Sequence, residues 1–417
     1  MGRRRFVHFL FGGVAVFSLL ASMVGVAWAG TTRVAYSFMG GADGEYPSTD
    51  LVRDGAGDLY GTTVQGGDFG GGSVFELKPS NTGWTHSVLY SFRGEADGGQ
   101  PYGGVTLDPQ GNLYGTTVIG GTRTGSACVE DGCGVAYELV RSAGGWTEKV
   151  IHTFTGGDDG YGPGAGLTID QHHNLYGMTP VGGTAGLGVI FEVRPLSTGT
   201  WKLNVIHPFT GGADGGSASA GRLLLGGGGD LYGVATTGGA NGSGTAFRLH
   251  LRGDGNWRFR TLYAFGGQPD AGFPYGALSF DGSGNLFGTT YYDGANDLGA
   301  VYELSPTATG LWHESVLYSF TGGRDGNGPI SNVVFDTAGD LFGTTSEGGS
   351  GCGCGTIFKL ARTGAGSWVE TVPYRFRGSP GAAFPYNGMV ADGSGNLFGA
   401  TVHGGTDNEG AVYEFTP

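Results

Sequence analysis

Tyr292, Glu347 and His403 are three side chains able to move protons, and they hold one place in different copies of a repeated phrase. That place lies two residues before the second glycine of a "GG" pair (or its "DG" variant), and the other copies fill it with Gln65, Ile119, Val181 and Thr237. A position that only props up a fold does not wander between phenol, carboxylate and imidazole unless it faces solvent or a ligand. In a partly dehydrated mouth, burial could tune such groups for proton transfer, as in a polysaccharide lyase or a glycosidase. Tyr292, Glu347 and His403 are therefore the catalytic candidates if the chain is an enzyme.

A second set suits binding. A loop of the form F-x-G-x-x-D-G-x-x-P recurs, with Tyr102, Tyr275 and Tyr386 just after its proline and Phe273 and Phe384 just before it. Aromatic faces around a polar concavity match the apolar faces of sugar rings, while hydroxyls and carboxylates meet the sugar hydroxyls. With Gln65, these five are the ligand-binding candidates. The alternative is that the rings pack out of solvent, as aromatics usually do.

The same loop carries Asp43, Asp97, Asp159, Asp214, Asp270 and Asp325, with Gly381 in the seventh copy. A ring of six carboxylates could attract calcium, but calcium wants several oxygens from one loop. An Asp-Gly turn rebuilt in each copy explains the pattern more simply. His172 and His173 fall in a turn, where adjacent side chains point apart and do not chelate one metal. His152 and His207 replace a tyrosine of the strand pattern and read as packing substitutes. No G-x-S-x-G, H-E-x-x-H or phosphate-loop motif occurs. No cofactor and no metal are expected.

The elements that must position these residues follow from the repeat. Leu59, Leu113, Leu175, Leu231, Leu286, Leu341 and Leu397 each open an "LYG" or "LFG" phrase, at steps of 54, 62, 56, 55, 55 and 56 residues. Periods of this length mean propeller blades or solenoid units. One unit, residues 84–139, runs "WTHSVLYSF", a loop, "YGGVTLDPQG", "NLYGTTVIGG", a loop, then "GVAYEL". The strands carry the β-branched and aromatic residues that fit a pleated sheet, with turn residues between them. The chain therefore reads as an all-β, seven-bladed β-propeller. Residues 33–38, "RVAYSF", match the last strand of a unit, and "GAVYEF" near the C-terminus matches the third. The last blade is thus expected to be closed by the N-terminal strand, which removes the unpaired edges of an open array. The tryptophans at 84, 146, 201, 257, 312 and 368 read as blade packing. The glycines of "LYGTT" read as sites of close approach.

Composition sets the compartment and excludes some partners. "MGRRR", a long apolar run and "AWA" at 27–29 are the grammar of a signal peptide cleaved after Ala29, leaving 30–417 as one propeller domain. Cleavage would remove three arginines and no acid, taking the formal charge from −14 to −17. Such a surface repels phosphate backbones, so nucleic acid is not an expected partner. No membrane span is expected after cleavage. The expected state is a secreted or extracytoplasmic monomer facing an extracellular polysaccharide or a surface protein. The cysteines form two local pairs, Cys128/Cys133 and Cys352/Cys354. Both read as disulfides in an exported chain, because neither loop offers the further ligands zinc needs.

The unit "GNLYGTT…GG…G-x-V-F-x-L", with "W…LYSF-x-G-x-D-G-x-x-P", resembles the Gloeo/Verruco (GloVer) tandem repeat of exported bacterial proteins, across residues 31–417. The resemblance implies export and repetition, and brings no catalytic residues with it. Members commonly carry a C-terminal surface anchor, which the residues up to Pro417 do not supply. The leading expectation is a secreted, non-enzymatic binding propeller for extracellular glycans. A propeller lyase or glycosidase, and a cell-envelope scaffold or protein-partner module, are the alternatives.

Overall fold

The computed structural model describes residues 30–417 except 123–127, 129, 219–220, 350 and 365. The expected signal peptide, residues 1–29, lies outside the described residues. Seven four-stranded antiparallel blades follow one another around a central channel. In blade one the strands are Val52–Arg53, Leu59–Thr63, Ser73–Ser80 and Gly83–Ser91, paired in that order from the channel outward. Blades two to six start their innermost strands at Val105, Thr168, Leu224, Ser279 and Val334. Blade five adds a short strand, Ala271–Pro274, beside its second strand.

Blade seven takes its inner three strands from residues 390–416 and its outermost from Thr31–Ser37, which pairs antiparallel with Ala411–Thr416. The N-terminal strand thus closes the ring, as the matched chain ends predict. Arg33 Nε donates to Glu414 Oε2 at 2.8 Å across this seam. Phe38, just beyond the strand, is fully buried against Phe75 of blade one.

The repeated phrase has structural work for its aromatic residue, its glycine and the turn before it. Its turn aspartate receives backbone N–H groups: Asp108 Oδ1 accepts from Gln110 N at 2.9 Å and Asn112 N at 2.8 Å. Its tyrosine seals the blade edge, since Tyr114 Oη lies 3.0 Å from Glu138 Oε1 and 3.2 Å from Asp108 Oδ2. Its ring is also the seat of the next blade's tryptophan: Trp146 on Tyr60, Trp201 on Tyr114 and Trp257 on Tyr176 lie 6.5, 5.8 and 5.7 Å apart between centroids.

Its glycine lies under an aromatic ring of the third strand. A Cβ on Gly177 would stand 2.4 Å from Phe191 Cζ and 2.9 Å from Leu167 Cδ2. Gly177→Ala is therefore expected to overpack the blade and cost roughly 1–3 kcal/mol. Gly55→Ala, with nothing within 4 Å of the new methyl, should leave stability within about 0.5 kcal/mol. Denaturant titration of the two variants checks the contrast.

Both cysteine pairs are disulfides, Cys128–Cys133 and Cys352–Cys354. The loop aspartates build turns, as expected. Asp325 Oδ2 accepts from Thr321 N at 2.8 Å and from Tyr318 Oη at 2.9 Å. His152 and His207 do the tyrosine's job, reaching Asp159 and Asp214 at 3.1 and 3.0 Å. Among the described residues, no group of three or more His, Cys, Asp and Glu side chains is placed to hold a metal ion.

These aspartates have a second neighbour that the linear pattern hides. At three seams the residue two after the strand's tryptophan is a carboxyl beside the preceding loop's aspartate: Glu148 beside Asp97, Glu314 beside Asp270 and Glu370 beside Asp325. Burial, helped by the facing aspartate, pushes each of the three up to about 7, and each keeps one buried oxygen without a partner. A carboxyl raised in the fold binds its proton more tightly there than in the open chain. Its stabilisation is present below about pH 4.5 and is lost as pH rises through 7. The melting temperature of Glu148→Gln/Glu314→Gln/Glu370→Gln should therefore fall less between pH 5 and pH 8 than that of the parent. An equal fall in both proteins would contradict the raised carboxyls.

Candidate functional site

The loops from strand four to the next strand one pair with the loops from strand two to three, through bridges such as Glu45↔Gln65, Gly99↔Ile119 and Asn327↔Glu347. Both candidate sets therefore lie on one face, around the channel mouth. The turn carrying His172 and His173 joins strands one and two of blade three, on the opposite face. There His172 N donates to Asp170 Oδ1 at 2.8 Å and His173 takes φ 63°.

At the mouth, Tyr46, Ser48, Val64, Tyr102, Tyr386, Val402 and His403 line an open cavity of about 350 Å³. They come from blades seven, one and two. Tyr46 and Phe384 both set their rings edge-on to His403, at 5.3 and 5.8 Å. On the far side of blade six, Tyr291 meets Tyr292 edge-on at 4.4 Å and lies 6.2 Å from Tyr275, while Phe273 meets Tyr292 at 6.4 Å. Between the two groups, Gly328 leaves room for the Tyr291 ring, 2.8 Å from where a Cβ would sit. Glu347 adds the charge there, accepting from Asn327 Nδ2 at 3.2 Å.

The rings come from blades five, seven, one and two, and Tyr291 of blade five reaches over blade six at Gly328, so together they form a crescent. Blade three contributes Gly162 and Gly164 at the matching places. Tyr102, Tyr275 and Tyr292 are 42%, 37% and 53% exposed. Burial, followed by the Glu347 charge, raises the pKa of Tyr291 and Tyr386, and burial alone raises that of Tyr275. Glu409 raises that of Tyr46. These hydroxyls stay protonated at neutral pH, each with a proton to donate.

The residue before the loop proline is left-handed in every blade: Tyr46, Gln100, Gly162, Ser217, Phe273, Gly328 and Phe384 have φ between 51° and 62°. (Blade four has Ala218 in place of the proline.) A side chain there costs on the order of 1 kcal/mol against glycine. Blades three and six use glycine. Three of the others hold an aromatic ring in the strained place, and all three rings belong to the crescent.

Below the mouth the channel is bridged. Arg222 of blade four reaches Asp50 of blade one, with Nε 3.9 Å from Oδ2, and Asp50 Oδ1 accepts from Gly388 N at 2.9 Å. The bridge is polar, and both its residues line a cavity of about 420 Å³ together with Asn332.

The structure brings Tyr102, Tyr386, Phe384 and His403 together, and groups Tyr275, Tyr292 and Phe273 with Glu347 nearby. Gln65 stands apart: it is exposed, its backbone pairs with Glu45, and it does not line the cavity. His403 has a buried Nδ1 without a partner, and Glu347 bonds Asn327, so neither orients the other for proton transfer. Tyr46, Tyr291 and Val64 were missed in the sequence. Tyr46 occupies the pre-proline place of Phe273 and Phe384, and alignment on the proline would have found it. Tyr291 is the immediate neighbour of a candidate and carried no signal of its own.

Two solved structures show a similar fold in distant proteins. The chain is 12% identical to the extracellular domain of a proposed one-component system from B. thetaiotaomicron, covering 92% of this chain and 40% of that one with a TM-score of 0.53. It is 12% identical to a protein from Lactobacillus plantarum, covering 86% and 99% with a TM-score of 0.52. A proposed oxidoreductase (glucose dehydrogenase) of Thermus thermophilus matches at 14% identity, 93% and 99% coverage and a TM-score of 0.42. At such identities the likeness is one of fold alone. No curated protein matches the sequence significantly. The repeat is the stronger relation: with its model matching residues 23–129, 122–313 and 256–417, the chain belongs to the Gloeobacter/Verrucomicrobia repeat family.

Proposed function

We propose that this chain is a secreted, non-catalytic propeller that binds an extracellular glycan lying across one mouth of its channel. The observation that carries the reading is the strained set Tyr46, Phe273 and Phe384. Glycine serves the same backbone geometry in two sister blades, so the rings are kept for what they touch. Around them stand open tyrosine faces with protonated hydroxyls, the pattern that stacks on sugar rings and donates to their oxygens. A crescent over five blades suits a chain of several sugar units, and the Arg222–Asp50 bridge favours a ligand that lies on the face over one threaded through it.

Two disulfides fit an oxidising compartment outside the cytoplasm. No helix among the described residues is long and apolar enough to cross a membrane. Export would rest on the signal peptide of residues 1–29, with the mature chain acting as a monomer.

Saturation-transfer NMR against soluble dextran, xylan, mannan and chitosan oligosaccharides, with product analysis of the same mixtures, tests the reading. Contact with at least one glycan and no new reducing ends is the expected result. Cleavage products would move the protein to the lyase or glycosidase class. A panel without any contact would leave a scaffold or protein-binding role.

A further inference from the structure

Blade four reverses the charge of its outer hairpin. Five blades set a glutamate opposite the phrase's aromatic residue: Glu76, Glu138, Glu192, Glu303 and Glu414. On the outer strand these glutamates face Ser87, Lys149, Asn204, Ser315 and Arg33. Blade six has Lys359 there, paired with Asp340 at 2.8 Å and facing the neutral Thr371. In blade four the inner place is Arg248, opposite Tyr232. The outer strand then puts Arg260 directly opposite Arg248, and Arg258 directly opposite His250.

Residues two apart on a strand share a face, so the three guanidinium groups and the His250 imidazole stand together and line a cavity of about 180 Å³. Like charges directly opposite in an antiparallel pair are destabilising, and the chain as a whole carries a net charge of −14. The hairpin does little to relieve the repulsion. Asp230 pairs with both Arg248 and His250, the latter at 2.6 Å, which sets one carboxylate against three guanidinium groups. Asp254, the only acid between Thr245 and Ala264, is turned to its own loop and accepts from Asn256 N at 2.9 Å. Two of the cations are held in place: Arg248 by Asp230, and Arg260 by donation from Nη2 to the Gly310 carbonyl at 2.7 Å. Arg248 Nε is buried without a partner.

We propose that this pocket binds a tetrahedral oxyanion, a sulfate or phosphate group. Guanidinium forks match the paired oxygens of such groups, and a doubly charged anion offsets the repulsion that the hairpin leaves standing. The pocket is on the outer strands of blade four, away from the crescent, and does not depend on the glycan reading of the mouth.

The test uses the whole chain at constant ionic strength set with potassium chloride. Its thermal midpoint is followed as inorganic phosphate or sulfate replaces chloride. A ligand bound only by the native state raises the midpoint saturably. The parent should show that rise. Arg258→Gln/Arg260→Gln should start higher, because the repulsion is gone, and should show no rise. Affinity electrophoresis through dextran sulfate against plain dextran then separates the sources. Retardation by the sulfated polymer alone, lost in the double variant, assigns the pocket to sulfate esters on a polymer. Equal migration beside a saturable phosphate response assigns it to the free anion. A parent that responds to phosphate no more than to chloride, or a double variant that responds as the parent does, overturns the proposal.

Discussion

Deleting residues 31–38 is expected to remove most of the stability of the whole ring. The loss has three sources. Strand Thr31–Ser37 leaves Ala411–Thr416 as an unpaired edge. The Arg33–Glu414 ion pair disappears. Phe38, fully buried between blades seven and one, leaves a cavity that by itself costs about 3–5 kcal/mol in comparable core truncations. Net stabilities of folded domains are only about 5–15 kcal/mol, so the truncated chain should melt far below the full chain or collect as aggregates through its open edge. Adding a peptide of residues 30–39 in trans should restore part of the melting temperature. Phe38→Ala should give the cavity cost alone. A truncated protein that melts with the full chain would show that the N-terminal strand is an ornament on a ring already closed.

Replacing Tyr46, Tyr102 and Tyr386 together by alanine is expected to weaken glycan binding on the order of 100-fold. Each lost aromatic contact costs on the order of 1 kcal/mol, and about 1.4 kcal/mol is tenfold in affinity. Fold stability should change little, because Tyr102 is open to solvent and Tyr46 and Tyr386 are only partly buried. The sharper form of the experiment is Tyr46→Gly and Phe384→Gly. If the rings are kept for a ligand, glycine at these left-handed places relieves strain, so the melting temperature holds or rises while affinity falls. If they are kept for packing, the same variants melt lower. His172→Ala/His173→Ala, on the opposite face, should leave binding unchanged. An enzyme gives another signature: Glu347→Gln or His403→Ala abolishes product formation while binding survives.

The ring itself was legible in the chain. Strand order, blade number, closure by the N-terminal strand and the turn role of the loop aspartates all follow from a period of about 55 residues read in phase at both ends. Seven near-copies of one unit repeat the same local chemistry, so each copy checks the others. The candidate positions were legible for the same reason: residues that vary at a fixed place stand out against the repeat.

What the sequence left open depends on which copies meet. Glu148, Glu314 and Glu370 each look like surface acids on a polar strand. The neighbouring loop's aspartate faces them only after the blades pack, and burial then raises them. Arg222 and Asp50 lie three blades apart and meet because the ring closes around a channel narrow enough to span. Gln65 and His403 share one place in the repeat, yet only His403 turns into the cavity with Tyr46 and Tyr386. The positive φ before each proline belongs to the backbone, and it alone separates aromatic rings held at a cost from rings that fit anywhere. Periodicity fixes what lies next to what within a blade. Side-chain partners across the channel and across the seams are fixed by the closed circle, because only closure sets the distance between residues far apart in the chain.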